Sequence, residues 1–286
     1  MKNTSGSVDF LYGTRFGRGI LKAVMGLHLD RIAVWFLRSP LSKPMIGRYA
    51  RKNGIALTDE QKRSFGSYRD FFVRTRDDLE IDGTPEHLIS PCDGWLSVFP
   101  IDGEQSFSIK KSHYRVSDFL QDEVLAEKYR GGTLLVFRLC ASDYHHYCYV
   151  DDGYTGENHP IQGVLHSVQP IACETYPVYV LNKRSWSLLA TEHFGPVVQC
   201  EIGALVVGGI ANEKENASFR KGEEKGHFEL AGSTIVLLFE RGRISLNAEI
   251  EESLARSEEA RVLLGQWIGV AATSGSGIDG SFTSLC

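Results

Sequence analysis

From Gly94 onward the chain is a succession of short apolar runs, and this limits its fold more than any other feature. The runs are Gly94–Pro100, Thr133–Leu139, Pro177–Leu181, Val197–Ile202, Ala204–Ile210 and Ser233–Phe239, dense in Val, Ile, Leu and Phe and separated by Gly, Asp or Asn clusters. They read as strands. Several are apolar without interruption rather than alternating, which predicts strands buried on both faces. Helix is expected in this part only over Val116–Tyr129 and Glu251–Trp267, and the Ser/Gly-rich tail Ala271–Cys286 is expected to fray. With 42% apolar and 23% charged residues the composition excludes a disordered chain. No stretch reaches the ~18 uninterrupted apolar residues of a membrane-crossing helix, and there is no internal repeat.

The first quarter of the chain is of another kind. Over Leu21–Lys52, Leu27, Ile32, Val34, Phe36, Leu37, Leu41, Met45, Ile46 and Tyr49 recur with Arg31, Arg38, Lys43, Arg48, Arg51 and Lys52 between them. This is a basic amphipathic helical pattern, which Pro40 and Pro44 break into two or three short helices. A further helix is expected over Thr58–Val73, where Thr58 and Gln61 have the spacing of a capping box. A polar, turn-rich stretch around Arg76–Pro85 marks the boundary. Up to Arg76 there are 15 Lys/Arg against 5 Asp/Glu; beyond it, 16 against 31. A basic head on an acidic body predicts an anionic partner for the head. Two readings fit the head: a helix set lying in a membrane interface, or a cap whose apolar side packs on the body.

The six cysteines, Cys92, Cys140, Cys148, Cys173, Cys200 and Cys286, contain no C-x-x-C pair. Zinc ribbons and thioredoxin-like sites therefore have no support. The first residues lack the series of a secretory signal, so reduced, mostly structural thiols in a cytosol-facing protein are expected. A nucleophile elbow, a phosphate loop, a dinucleotide fingerprint and an H-E-x-x-H zinc motif are all missing. The head also lacks the interleaved aromatics of a nucleic-acid module.

Three segments hold residues suited to chemistry: Ser90-Pro91-Cys92-Asp93-Gly94, Asp143-Tyr144-His145-His146-Tyr147-Cys148, and Gly222 through Thr234. An Asp, a His and a Ser on separate loops are the parts of an activated-serine constellation. Taken singly, each has a structural reading: Asp93-Gly94 as a turn, the two histidines as strand-end residues, Gly232-Ser233-Thr234 as a tight turn entering a strand.

Together they resemble the phosphatidylserine decarboxylase family, in its bacterial form with a short basic N-terminal region. The resemblance runs through Phe10-Leu11-Tyr12, Ser67-Tyr68-Arg69-Asp70-Phe71-Phe72, Asp93-Gly94, Asp143-Tyr144-His145, Gly203 to Gly208, Lys221 to Gly226 and Gly232-Ser233-Thr234. It implies an α+β fold, with basic N-terminal helices packed on a mostly antiparallel β-rich catalytic domain. The expected division is a membrane-associating head over residues 1–76 and a decarboxylase domain over 77–286.

The family is implied to cut itself, here between Gly232 and Ser233. Ser233 Oγ would attack the Gly232 carbonyl, giving an ester whose β-elimination begins the conversion of Ser233 into a pyruvoyl group. A β chain, 1–232, and an α chain, 233–286, would result. Glycine suits the cut because it has no Cβ to block attack. The implied relay carries over to Asp93, His145 and Ser233, and the pyruvoyl group would form a Schiff base with the substrate amine and act as an electron sink. No metal is implied. The expected reaction is phosphatidylserine to phosphatidylethanolamine plus CO₂. The implied partners are an anionic phospholipid membrane, met peripherally on the cytoplasmic face of the cell membrane, and the chain's own two fragments as a heterodimer, with no nucleic acid. One departure is visible: many members carry a second His where this chain has Cys148, and His146 replaces a commonly basic neighbour. His145 is thus the expected base, with His146, His166 and His227 as the other candidates. A pyruvoyl decarboxylase of a soluble amino acid, or an uncleaved scaffold of the same fold, stays open as an alternative.

Overall fold

The run Ser233–Phe239 lies near the centre of an eight-stranded sheet, and its position explains its composition. The computed structural model describes residues 6–26, 29–109, 112–204, 209–230 and 233–272. The strand order is Ala217–Phe219, Gly153–Ile161, Arg184–Thr191, Gly195–Gly203, Ser233–Phe239, Thr133–Leu139, Gly94–Pro100, Ala260–Val262. Every neighbouring pair is antiparallel.

Both faces of this sheet are covered. Val236 and Leu238 point with Leu134, Val136, Val198 and Cys200 into one apolar cluster, closed by Val116, Phe119, Leu125, Ala172 and Val178 from short helices. Ile235, Leu237 and Phe239 point the other way with Leu135, Phe137 and Val197. That second cluster is closed by Leu88, Tyr144, Tyr147, Phe228 and Ile268, most of them on two small three-stranded sheets. A strand with both faces buried has no polar side to alternate, so the uninterrupted apolar runs follow. The class is α+β, as the sequence predicts.

The head forms the helices Gly6–Gly13, Arg15–Gly26, Leu29–Arg38 and Lys43–Lys52, with a 3₁₀ turn at Pro40–Ser42. Both prolines sit in first turns, where a missing N–H costs nothing. The Thr58–Gln61 capping box forms, with Gln61 N donating to Thr58 Oγ1 at 3.1 Å and Thr58 N to Gln61 Oε1 at 2.9 Å. A third cluster of Ile46, Ala50, Tyr68, Phe71 and Phe72 takes in Leu230 from the body.

Several local expectations are corrected. Thr58–Val73 is two helices, Asp59–Ser64 and Tyr68–Phe72, the second capped anew by Ser67. Val116–Tyr129 is also two, Val116–Leu120 and Glu123–Glu127, parted by left-handed Gln121. Pro177–Leu181 is a helical turn, Val178–Leu181, closed by Asn182 N donating to Val178 O at 2.9 Å, rather than a strand. The helix expected over Glu251–Trp267 is Ala248–Ser257; left-handed Glu258 ends it, and Ala260–Val262 and Trp267–Ala271 are strands. The Ala204–Ile210 run falls largely on residues 205–208, outside the described residues; Ile210–Asn212 pairs in a small sheet instead. The tail from 273 to 286 likewise lies outside them.

Candidate functional site

Strand order, which is not written in the sequence, sets the site. Ser233 pairs with Leu139 on one side and Gly203 on the other. Trp95 pairs with Arg138, so Gly94 lies in the same row as Leu139 and Ser233. A Cβ on Gly94 would meet the Arg138 carbonyl oxygen at 3.0 Å, so the close strand approach fits glycine. Asp93 is one residue further on, at the same end of the sheet. Its main chain is two strand spacings, roughly 10 Å, from that of Ser233.

Asp93 is buried, and its Oδ1 accepts from Leu264 N at 2.9 Å. Its Oδ2 lies 3.5 Å from Arg76 Nη1. A cavity of about 360 Å³ opens beside it, lined in part by Arg76, Asp78, Leu263 and Gln266.

The strand Thr133–Leu139 runs out of the sheet at this end into the turn that carries His145. Asp143 shapes the turn: its Oδ2 accepts from Cys140 N at 2.7 Å, its N donates to Cys140 O at 2.9 Å, and its Oδ1 pairs with Arg261 at 3.0 Å. His145 is fully buried, with its ring 4.3 Å from that of Phe72 and 6.5 Å from that of Phe228. Its Nδ1 is 2.8 Å from the Asp143 carbonyl oxygen. A carbonyl only accepts, so Nδ1 carries the hydrogen and the Nε2 lone pair is the basic position. The acceptor that orients His145 is thus the Asp143 main chain, while the Asp93 carboxylate is held by Leu264 and Arg76.

Ser233 is buried, and its Oγ has no hydrogen-bond partner among the described residues. By alternation it faces with Ile235 and Leu237 into the cluster that also holds Tyr144, Tyr147 and Phe228. The ring of His145 packs on that same Phe228. Ser233 and His145 therefore belong to one side of the sheet. Gly232, the expected partner in the cut, lies outside the described residues, as does Ala231. The segment just before them is held by the head: Leu230 sits in the helical cluster, and Glu229 bridges to Arg38 and, at 3.1 Å, to Arg69. Burial works against its charge, but the two guanidinium groups hold the Glu229 carboxyl below its usual range.

The other histidines are occupied elsewhere. His166 N donates to Asn182 Oδ1 at 2.9 Å, and Asn182 Nδ2 donates to both His166 O and Gly203 O at 2.8 Å. Its ring stacks on Tyr176 at 4.5 Å, and burial lowers its pKa. His146 and His227 lie across from each other on paired strands and meet Glu224. Cys148 is buried, which pushes its thiol up to about 12 and leaves it protonated at neutral pH. The five described cysteines are all free.

Arg76 and Asn182 were not singled out from sequence, and Glu224 and Glu229 fell within a candidate segment without a role of their own. Each acts across a contact distant along the chain, and a spacing pattern carries no signal for that.

A family model described as phosphatidylserine decarboxylase matches residues 68–270. Phosphatidylserine decarboxylase proenzyme 2 of Clostridium acetobutylicum is 40% identical over 268 residues, covering 93% of this chain and 92% of its own length. The phosphatidylserine decarboxylase proenzyme of Clostridium beijerinckii is 34% identical, covering 92% and 91%. That of Fusobacterium nucleatum is 33% identical with the same coverage. Matches of this extent take in the head, the row at the sheet end and both small sheets together, and on that ground the chain belongs to the phosphatidylserine decarboxylase family.

Proposed function

We propose that this chain is a proenzyme that cuts itself between Gly232 and Ser233 and then converts phosphatidylserine to phosphatidylethanolamine and CO₂. The observation that carries the reading is the Ser233 hydroxyl. It is buried at the first residue of a central strand, without a hydrogen-bond partner among the described residues, on the side of the sheet that holds His145. A buried hydroxyl left unpaired has a cost of about 1–3 kcal/mol, and a group kept for reaction is one reason for a fold to tolerate it.

His145 Nε2 serves as the base that takes the Ser233 proton, and the Asp143 carbonyl orients its ring. Asp93 supplies the negative charge of the relay from just before the strand Gly94–Pro100, with Arg76 and Leu264 N fixing its carboxylate. Ser233 Oγ then displaces the Gly232–Ser233 amide; elimination breaks the resulting ester into a Gly232 carboxylate and a dehydroalanine, and water replaces the dehydroalanine nitrogen, lost as ammonia, to give the ketone. The Ser233 position fits a pyruvoyl group, because a ketone there does not leave a hydroxyl hydrogen unpaired as the serine does. That group supplies an electron sink for the bond that releases CO₂. Cleavage does not free the smaller fragment. Ser233–Phe239 is laddered on both sides by strands of the larger one, so the two chains stay together as a heterodimer.

The head, 1–76, serves as the membrane-associating region and the remainder, 77–286, as the decarboxylase domain. Phe16, Ile32, Trp35, Leu41 and Met45 are exposed on the basic helices, a pattern suited to an anionic bilayer surface. No described helix is long and apolar enough to cross a membrane, and the reading is a peripheral one, on the cytoplasmic face of the cell membrane.

The test is the intact mass of the small fragment together with the Ser233→Ala chain. We expect two bands on a denaturing gel for the natural chain, a small fragment starting in a pyruvoyl group, and one inactive full-length band for the variant. A single uncleaved polypeptide that still releases CO₂, or a fragment starting in ordinary serine, overturns the reading.

A further inference from the structure

His146, Glu224 and His227 meet in a way the relay does not use. His227 lies directly opposite His146 in the ladder between Glu224–Phe228 and His146–Cys148, and their rings stack at 5.0 Å. Simple alternation would send Glu224, three residues before His227, to the other face. A bulge prevents this. Glu224 pairs with Cys148 and Gly226 with Tyr147, so Lys225 is an extra residue and Glu224 returns to the side of His227. Gly226 suits the close approach of the strand Ile210–Asn212 on the other side, because a Cβ there would come within 2.0 Å of the Ala211 carbonyl oxygen.

Three donor atoms then converge. His146 Nδ1 is 2.7 Å from Glu224 Oε1, and His227 Nδ1 is 3.9 Å from the same oxygen. The ligating atoms of the three residues all lie within 4.8 Å of one another. His146 Nε2 sits 3.0 Å from the Val73 carbonyl oxygen and so carries a hydrogen. When His146 is neutral its Nδ1 lone pair therefore faces a carboxylate oxygen, and only a positive species between the two makes that contact favourable. A proton satisfies His146 and Glu224, but it leaves His227 Nδ1, which is buried and has no hydrogen-bond partner among the described residues. A divalent ion satisfies all three.

We infer that His146 Nδ1, His227 Nδ1 and the Glu224 carboxylate form a binding site for a divalent transition-metal ion of the zinc class. Two imidazoles and one carboxylate are a borderline donor set that suits Zn²⁺ better than Ca²⁺ or Mg²⁺. Donors around such an ion stand roughly 3.3 Å apart, so small side-chain movements close the site. The Val73 carbonyl is the outer partner that fixes the His146 ring. Glu213 Oε1, 3.9 Å from His227 Nδ1 and on a half-exposed side chain, is available at the rim as a fourth donor. Arg69 is the nearby cation that opposes binding, and Glu229 engages its guanidinium. Both imidazoles bind through an Nδ1 lone pair, so metal and proton compete for these positions. The bound ion ties the small sheet to the end of the helix Tyr68–Phe72, beside His145, and takes no part in the decarboxylation steps.

The experiment is Zn²⁺ titration of the untagged full chain by calorimetry, with metal analysis after dialysis. One equivalent is expected to bind. Glu224→Gln and His227→Ala are each expected to weaken binding at least tenfold, while His113→Ala, at an exposed histidine elsewhere, leaves it unchanged. X-ray absorption on the zinc-loaded natural chain is expected to show two imidazole nitrogens and carboxylate oxygen, a result independent of how the variants fold. Absence of stoichiometric binding, affinity unchanged in both variants, or a first shell without imidazole overturns the inference.

Discussion

The central sheet and the N-terminal helices use apolar residues in opposite ways. In the sheet, Ile235, Val236, Leu237, Leu238 and Phe239 are all at most 2% exposed, whichever face they point to. In the head, Ile46 and Ala50 are buried, whereas Phe16, Ile32, Trp35 and Leu41 are between 63% and 73% exposed. Apolar side chains held in water on basic helices gain nothing for the folded state. The difference separates residues that hold the protein together from residues left free, which the proposed function assigns to a bilayer surface.

The largest effect tests the sheet. Leu237→Ala empties a fully buried position laddered on both sides. The expected loss is about 2–5 kcal/mol, measured by denaturant unfolding in a Ser233→Ala background so that one uncut chain unfolds. A loss under about 1 kcal/mol would mean that the central strand is not where stability resides.

How much of this was legible depends on how local each cause is. The Thr58–Gln61 capping box could be read directly, because both partners lie within one turn. The uninterrupted run Ser233–Phe239 predicted a strand with two buried faces, since the period of the pattern is set by burial. Pro177–Leu181 misled because a short apolar run fits a buried helical turn as well as a strand; tertiary packing of Val178 and Tyr179 decided it. Trp267 was expected at the end of a helix and lies in a strand, because Glu258 and Gly265 adopt left-handed conformations that apolar spacing does not reveal. At the site, residue types suggested Asp93, His145 and Ser233, but the row Gly94–Leu139–Ser233–Gly203 exists only once the strand order is known. The bulge that turns Glu224 toward His227 was illegible for the same reason.

A middle-sized effect tests the join between the two regions. Glu229 is gripped by Arg38 and Arg69, four residues before Ser233. Because these side chains are part-exposed, Glu229→Gln is expected to change stability by less than about 1 kcal/mol. Its expected consequence is kinetic: a slower appearance of the two fragments in a gel time course, since the segment before the cut loses its anchor to the head. An unchanged rate would show that the head and the cut are independent.

The smallest effect on folding is the sharpest test of the contrast. Trp35 is 65% exposed, so Trp35→Ala is expected to leave stability within about 0.5 kcal/mol. Burying a large apolar side chain is nonetheless worth about 1.5–3 kcal/mol, and every 1.4 kcal/mol is a factor of about ten in partitioning. Sedimentation with phosphatidylserine-containing vesicles should therefore fall roughly tenfold or more for the variant. Raising the salt should release the natural chain as well, since the basic residues around Trp35 add about 1 kcal/mol each near an anionic surface. Equal sedimentation of the variant and the natural chain, or equal binding to zwitterionic and anionic vesicles, would return the head to the role of a cap. The exposure of its apolar residues would then need another explanation.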